Sequence, residues 1–187
     1  GGIKALDSCS MKIKKGKINA IIGPTGSGKT TLFNVISGLI KPDNGKIMFR
    51  GKNILELEDF EIAKLGISRT FQEVRLFKNL TIKDHLQIAL AENYEYIFKS
   101  LAKKEKNNDK RIKEVLEIVG LDKNLDSYVI ELSYGQRKLL DLAIVMAKQH
   151  SILMLDEPVA GINPELRKEI KEILKNLRLD KETIILI

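Results

Sequence analysis

The chain has 187 residues, a length that suits one compact domain with room for a subdomain. Its 43% hydrophobic content supports a real core. No apolar run approaches the roughly 18–20 residues of a membrane-spanning helix, which excludes a protein crossing the bilayer on helices of this sequence. The net charge of +7 leaves an anionic partner open.

No secretory signal pattern opens the chain. Cys9 is the only cysteine, so an internal disulfide is impossible and a reducing cytoplasm fits. Cys9 reads as a small packing residue rather than a functional thiol. The basic residues concentrate in residues 99–114, where seven (Lys99, Lys103, Lys104, Lys106, Lys110, Arg111, Lys113) face three acids, Glu105, Asp109 and Glu114. That run reads as a solvated helix face. It lacks interleaved aromatic residues for stacking on bases, since Tyr94, Tyr96 and Phe98 precede it, so no nucleic-acid partner is expected.

In chain order, "KINAIIGP" predicts a buried strand that ends at a glycine loop. A helix follows from Gly28 to about Leu39. "KPDNGKIMFRGKNI" carries a turn signal and then strand alternation. Residues 59–65 predict a short helix and "GISRTFQ" a strand. From about Thr81 to Gly120 the spacing becomes helical, as in Ile112, Val115, Leu116 and Val119. Strand character returns at residues 151–155. A helix opens at Pro164 with Asn163 as its N-cap, and "TIILI" is a last strand. Apolar runs without alternation are those of buried parallel strands. The expected architecture is a single α/β domain over 1–187, with a core at 1–72 and 150–187 and a helical subdomain at 73–149.

Three stretches carry chemistry. The first, "GPTGSGKTT" at residues 23–31, matches the phosphate-loop pattern G-x-x-x-x-G-K-S/T. Gly23, Gly26 and Gly28 let the loop through Pro24, Thr25 and Ser27 bend around a phosphate, with the N–H groups of its residues other than Pro24 turned inward. The helix that begins here directs its positive end at the same anion. Lys29 supplies an ammonium for the β- and γ-phosphates, and the Thr30 hydroxyl, next to Thr31, is suited to Mg²⁺. This strand–loop–helix order points to a nucleoside triphosphate in an α/β fold of the P-loop NTPase (RecA-like) type.

The second stretch is "SILMLDEP". Its apolar strand delivers Asp156 and Glu157 to a C-terminal edge, where ligands bind in open α/β sheets. Asp156 is suited to hold Mg²⁺ through water, and Glu157 to polarise the attacking water. The third stretch is "LSYGQ", residues 132–136. Ser133 can cap the following helix, and Gly135 lets a ligand approach the backbone. It reads either as a plain N-cap or as a second phosphate contact at a helix end.

The order of the phosphate loop, Gln72 in "TFQ", "LSYGQ" and "LMLDEP" resembles the ATP-binding subunits of ABC transporters, over essentially the whole chain. The resemblance implies an ABC-type nucleotide-binding domain with ATP and Mg²⁺. It implies that two such subunits, alike or merely related, dock head to tail, with Ser133, Gly135 and Gln136 reaching the γ-phosphate held by the other copy. It gives Gln72 the role of sensing Mg²⁺ and the attacking water. It also implies transmembrane permease subunits as partners, with residues 73–77 against them, and a peripheral place on the cytoplasmic face of the membrane.

"GISRTFQEVRLFKNLTIKDHL", "LSYGQRKLLDLA" and "LMLDEPVAGINP" look most like subunits of branched-chain amino acid importers. Tyr134 departs from the glycine usual in the family, as it does in that subgroup. Asn163 stands where aspartate is usual and is expected to contact the other copy. The alternatives are an exporter ATPase of the lipopolysaccharide-export type and a soluble ABC ATPase. A GTPase would need an Asn-Lys-x-Asp guanine reader, and the sequence has none. The family's adenine-stacking aromatic falls just before Gly1 and its switch histidine just beyond Ile187. His85 and His150 do not replace that histidine and read as surface or packing residues. The chain is therefore expected to be trimmed at both ends, to bind Mg-ATP, and to hydrolyse it weakly.

Overall fold

The computed structural model describes residues 4–91 and 101–187. In chain order the elements are β1 (Ile18–Ala20), α1 (Lys29–Ile36), β2 (Met48–Phe49), β3 (Lys52–Asn53), α2 (Asp59–Lys64) and β4 (Ile67–Arg69), followed by α3 (Ile82–Leu90), α4 (Leu101–Val119) and α5 (Tyr134–Ala147). β5 (Ile152–Leu155), α6 (Pro164–Leu179) and β6 (Ile184–Leu186) complete the chain. They fall into two compact units. The first holds the chain up to Arg69, with His150–Glu157 and Leu177–Ile187. The second holds Thr70–Gln149 and Pro158–Asn176.

The first unit is built on a four-stranded parallel sheet in the order β1-β6-β5-β4. β6 pairs Ile184 with both Ile18 and Leu153, and β5 pairs Ile152 with Ile67. Leu153, Met154 and Leu155 are fully buried in succession, which is why "ILML" reads as a continuous apolar run. Phe33 and Ile36 of α1 pack with Ile62, Ile67, Met154 and Ile185 in one cluster. Burial of side chains this size contributes about 1.5–3 kcal/mol each. The alternating stretch after residue 45 forms a small antiparallel hairpin, β2 with β3. Its two-residue turn has Arg50 at φ 50° and Gly51 at φ 80°, the backbone that twists with its strands.

Two expectations are corrected in this unit. The helix after the glycine loop ends at Ile36, not near Leu39: the Ser37 hydroxyl donates to the Phe33 carbonyl, and Gly38 takes φ 77°. Cys9 is exposed rather than packed. Its segment is irregular and polar on both sides, so no apolar face turns it inward.

In the second unit α3, α4 and α5 pack on one another. The helical spacing seen in sequence is the buried stripe of α4: Ile112, Val115, Leu116 and Val119. Arg111 on the same helix donates to the Met146 carbonyl (2.6 Å) and the Ala147 carbonyl (3.1 Å), satisfying the C-terminal end of α5. Farther up the basic run, Lys99 lies outside the described residues, as do Tyr94, Tyr96 and Phe98. Lys110 and Arg111 both reach Glu114 on the α4 surface, at 3.8 and 3.4 Å. No helix among the described residues is long and apolar enough to cross a membrane.

Candidate functional site

The phosphate loop leaves β1 and opens α1. Gly26 and Gly28 take φ of 81° and 85°, a left-handed backbone that side chains disfavour. A Cβ at Gly28 would also run into the Ala5 carbonyl oxygen, so two independent restraints demand glycine there. The Lys29 ammonium curls over the loop and donates to the carbonyls of Gly23 (2.8 Å) and Pro24 (2.9 Å). Thr25, Gly26, Ser27 and Thr30 are exposed on the rim. No side chain caps α1, so its first-turn amides are met by no cap. The contrast with α5 is direct: there the Ser133 hydroxyl accepts from the Gln136 amide (3.2 Å), and the Gln136 side chain accepts from the Ser133 amide (3.0 Å).

Asp156 and Glu157 follow β5 at the same strand edge as the loop that follows β1, because all four strands run parallel. Asp156 is buried, and its Oδ2 accepts from the Arg69 guanidinium at 3.0 Å. Glu157 is half-buried and takes φ 47°, an uncommon backbone for a non-glycine residue. Its amide donates to the Ile187 carbonyl at 3.1 Å, extending the β5–β6 ladder while the chain turns away. Strained backbone of this kind collects at functional positions.

Gln72 lies in the second unit, exposed, and its carbonyl accepts from the Lys138 ammonium at 3.1 Å. Lys138 is itself buried on α5, and its nitrogen lies 5.9 Å from the centre of the Tyr134 ring. Ser133, Gly135 and Gln136 share a cleft of about 500 Å³ with Tyr134, Asn163 and Glu165. Asn163 caps α6 as expected, its side-chain oxygen accepting from the Leu166 amide at 2.8 Å. His85 is buried: Nε2 accepts from the Phe77 amide (3.0 Å), so the proton sits on Nδ1, 2.8 Å from the Thr81 carbonyl. His150 meets Glu182 at 2.7 Å. Of the surface or packing roles that the sequence suggested, His85 is a buried packing residue and His150 is half-buried against Glu182.

Two residues escaped the sequence reading, Arg69 and Lys138. A buried cation is legible only once its partner is known, and both partners are distant in sequence: Asp156 for Arg69 and the Gln72 carbonyl for Lys138.

Asp141 lies one turn beyond Lys138, beside Leu142, Pro158 and Ile170. Burial pushes its carboxyl from 3.8 up to about 6, while the Lys138 charge pulls the other way. The folded chain therefore keeps a proton that the unfolded chain loses. The stabilisation is full below about pH 4 and is lost as pH rises through about 6. Asp141→Asn is expected to be more stable than wild type at pH 7.5, by up to about 3 kcal/mol, with the difference vanishing near pH 4. Urea unfolding at the two pH values checks this; an equal difference at both would contradict it.

The oxygen set suits Mg²⁺ by its chemistry. Within the first unit Thr30 and Asp156 offer a hydroxyl and a carboxylate, both hard donors. No cluster of three or more His, Cys, Asp or Glu residues able to hold a metal exists among the described residues.

The chain matches the family model described as ABC transporter over residues 6–160. It is 36% identical over 194 residues to the high-affinity branched-chain amino acid transport ATP-binding protein LivG of Escherichia coli K12, covering 100% of this chain and 76% of that one. Among solved structures it resembles an ATP-binding cassette of an ABC transporter, with a TM-score of 0.85 and 34% identity over 100% of this chain and 76% of that one. It also resembles a dimeric ATP-binding cassette in a post-hydrolysis state bound to ADP and Pi, with a TM-score of 0.82 and 27% identity over 97% and 78% of the two chains. The glycine loop, the acidic strand end and the capped "LSYGQ" helix thus sit in a chain that belongs to the ABC transporter family of ATP-binding domains.

Proposed function

We propose that this chain is the ATP-binding and hydrolysing subunit of an ABC importer for branched-chain amino acids. The observation that carries the reading is the parallel sheet edge shared by the phosphate loop after β1 and Asp156 and Glu157 after β5. The backbone N–H groups of Gly23 and of residues 25–31 bind the phosphates, Pro24 having none, and Lys29 and the start of α1 offset their charge. Thr30, Asp156 and Gln72 would hold Mg²⁺, which when bound would neutralise charge developing on the transferred phosphoryl group. Glu157 orients the attacking water and accepts its proton. The class of solute follows the relatives' named role.

A second ATP-binding subunit completes each site. Ser133, Gly135 and Gln136 contact the γ-phosphate of the facing copy, and Asn163 touches that copy beside them. The cleft they share supports this reading. Permease subunits anchor the assembly at the cytoplasmic face of the membrane. Their contact is the segment 73–77, a reading supported by exposed Arg75, stacked 4.4 Å from the Phe71 ring centre, and by Phe77, which is 65% exposed. The His85 bond to the Phe77 amide gives this segment a fixed end.

Two measurements test the proposal. The chain is expected to bind ATP in preference to GTP, and equal affinity would contradict the reading. A photocrosslinker at position 75 is expected to capture a permease subunit in the assembled transporter. Its failure in an intact, ATP-hydrolysing complex would remove the segment from the interface.

A further inference from the structure

We propose that Arg69 is a positioning residue that fixes the Asp156 carboxylate relative to the helix of the phosphate loop, and so sets the affinity of the site for the divalent cation. The inference rests on the nucleotide reading above. The Arg69 guanidinium donates from Nη1 to Asn34 Oδ1 (2.8 Å) and to Ser37 Oγ (2.9 Å), and from Nη2 to Asp156 Oδ2 (3.0 Å). It lies 5.3 Å from the centre of the Phe33 ring. Phe33, Asn34 and Ser37 all belong to α1 or its cap, within two turns of Lys29 and Thr30. One rigid, planar group therefore spans the helix that carries the loop and the strand end that carries the acid.

The bridge is itself held. Ser37 spends its hydroxyl proton on the Phe33 carbonyl (2.8 Å), which turns its lone pairs to Arg69. The Arg69 and Asp156 side chains are 6% and 1% exposed, so the pair is desolvated. A buried ion pair commonly adds little net stability over apolar packing, so stability does not account for it. What a fork-shaped cation adds is a fixed direction for one carboxylate oxygen. Metal affinity depends on such supporting contacts, whose loss typically costs about 10–100-fold.

The test separates the cation from the nucleotide. The Asn34→Ala/Ser37→Ala double variant keeps the ion pair and the Phe33 contact but removes both hydrogen bonds to α1 and its cap, and Arg69→Lys keeps the charge but lacks the fork. ATP affinity is measured in EDTA by titration calorimetry. Mn²⁺ binding to the ATP-loaded protein is then followed by loss of the free-ion EPR signal. Both variants are expected to bind ATP in EDTA within about twofold of wild type and Mn²⁺ about tenfold more weakly. Should Arg69→Lys fail to fold, the double variant decides alone. Unchanged Mn²⁺ affinity in a variant that binds ATP overturns the inference. So does an equal loss in EDTA, which would make Arg69 a support of the loop alone. A wild-type chain that binds no ATP overturns the nucleotide reading, and this inference with it.

Discussion

Glu157→Gln is expected to lower ATP turnover by about 10²–10⁴-fold, the usual contribution of a positioned general base, while ATP affinity stays near that of wild type. The amide keeps the size and reach of the side chain but cannot take a proton from water. Glu157 sits at the turn that ends β5, held by the hydrogen bond its backbone N–H donates to the Ile187 carbonyl, so the substitution leaves the backbone pairing intact. On the proposed pairing of two copies, blocked hydrolysis in the full subunit leaves in place the ATP that would join the two sites. Size-exclusion chromatography in Mg-ATP is therefore expected to show a dimer with the variant and not with wild type. Equal turnover in the two proteins would place the base elsewhere.

Lys29→Ala is expected to weaken ATP binding at least about tenfold. The ammonium takes part in charge-assisted hydrogen bonds, each contributing about 1.5–3 kcal/mol. The same nitrogen also bridges the Gly23 and Pro24 carbonyls, so its removal loosens the loop as well as removing the charge. Titration with a fluorescent ATP analogue measures the loss. Unchanged affinity would take Lys29 out of the site.

Much of this was legible in the sequence because its signals are local. "ILML" without alternation, between His150 and the acidic pair, reads as a strand covered on both faces, and Leu153, Met154 and Leu155 are buried accordingly. Asn163 followed by Pro164 is a helix start that needs no tertiary support, and in the fold Asn163 caps α6 and Pro164 begins it. Ser133 and Gln136, three apart, close a capping box on themselves. What stayed hidden depends on distant partners. Arg69 looks like any strand-end arginine until β4 pairs with β5 and brings it to Asp156. Lys138 looks like one more cation on a polar helix start, although it is buried against the Gln72 carbonyl. Cys9 went the other way, because the expectation rested on residue type while its neighbours offered no apolar face.

The most direct test of the central claim is single-turnover release of phosphate from radiolabelled Mg-ATP by the assembled transporter. Three complexes are compared: wild type, Lys29→Ala and Glu157→Gln. The account predicts release by wild type, loss with Lys29→Ala because ATP is not held, and loss with Glu157→Gln although ATP remains bound. Release at the wild-type rate by either variant would contradict a site built from the phosphate loop after β1 and the acidic end of β5.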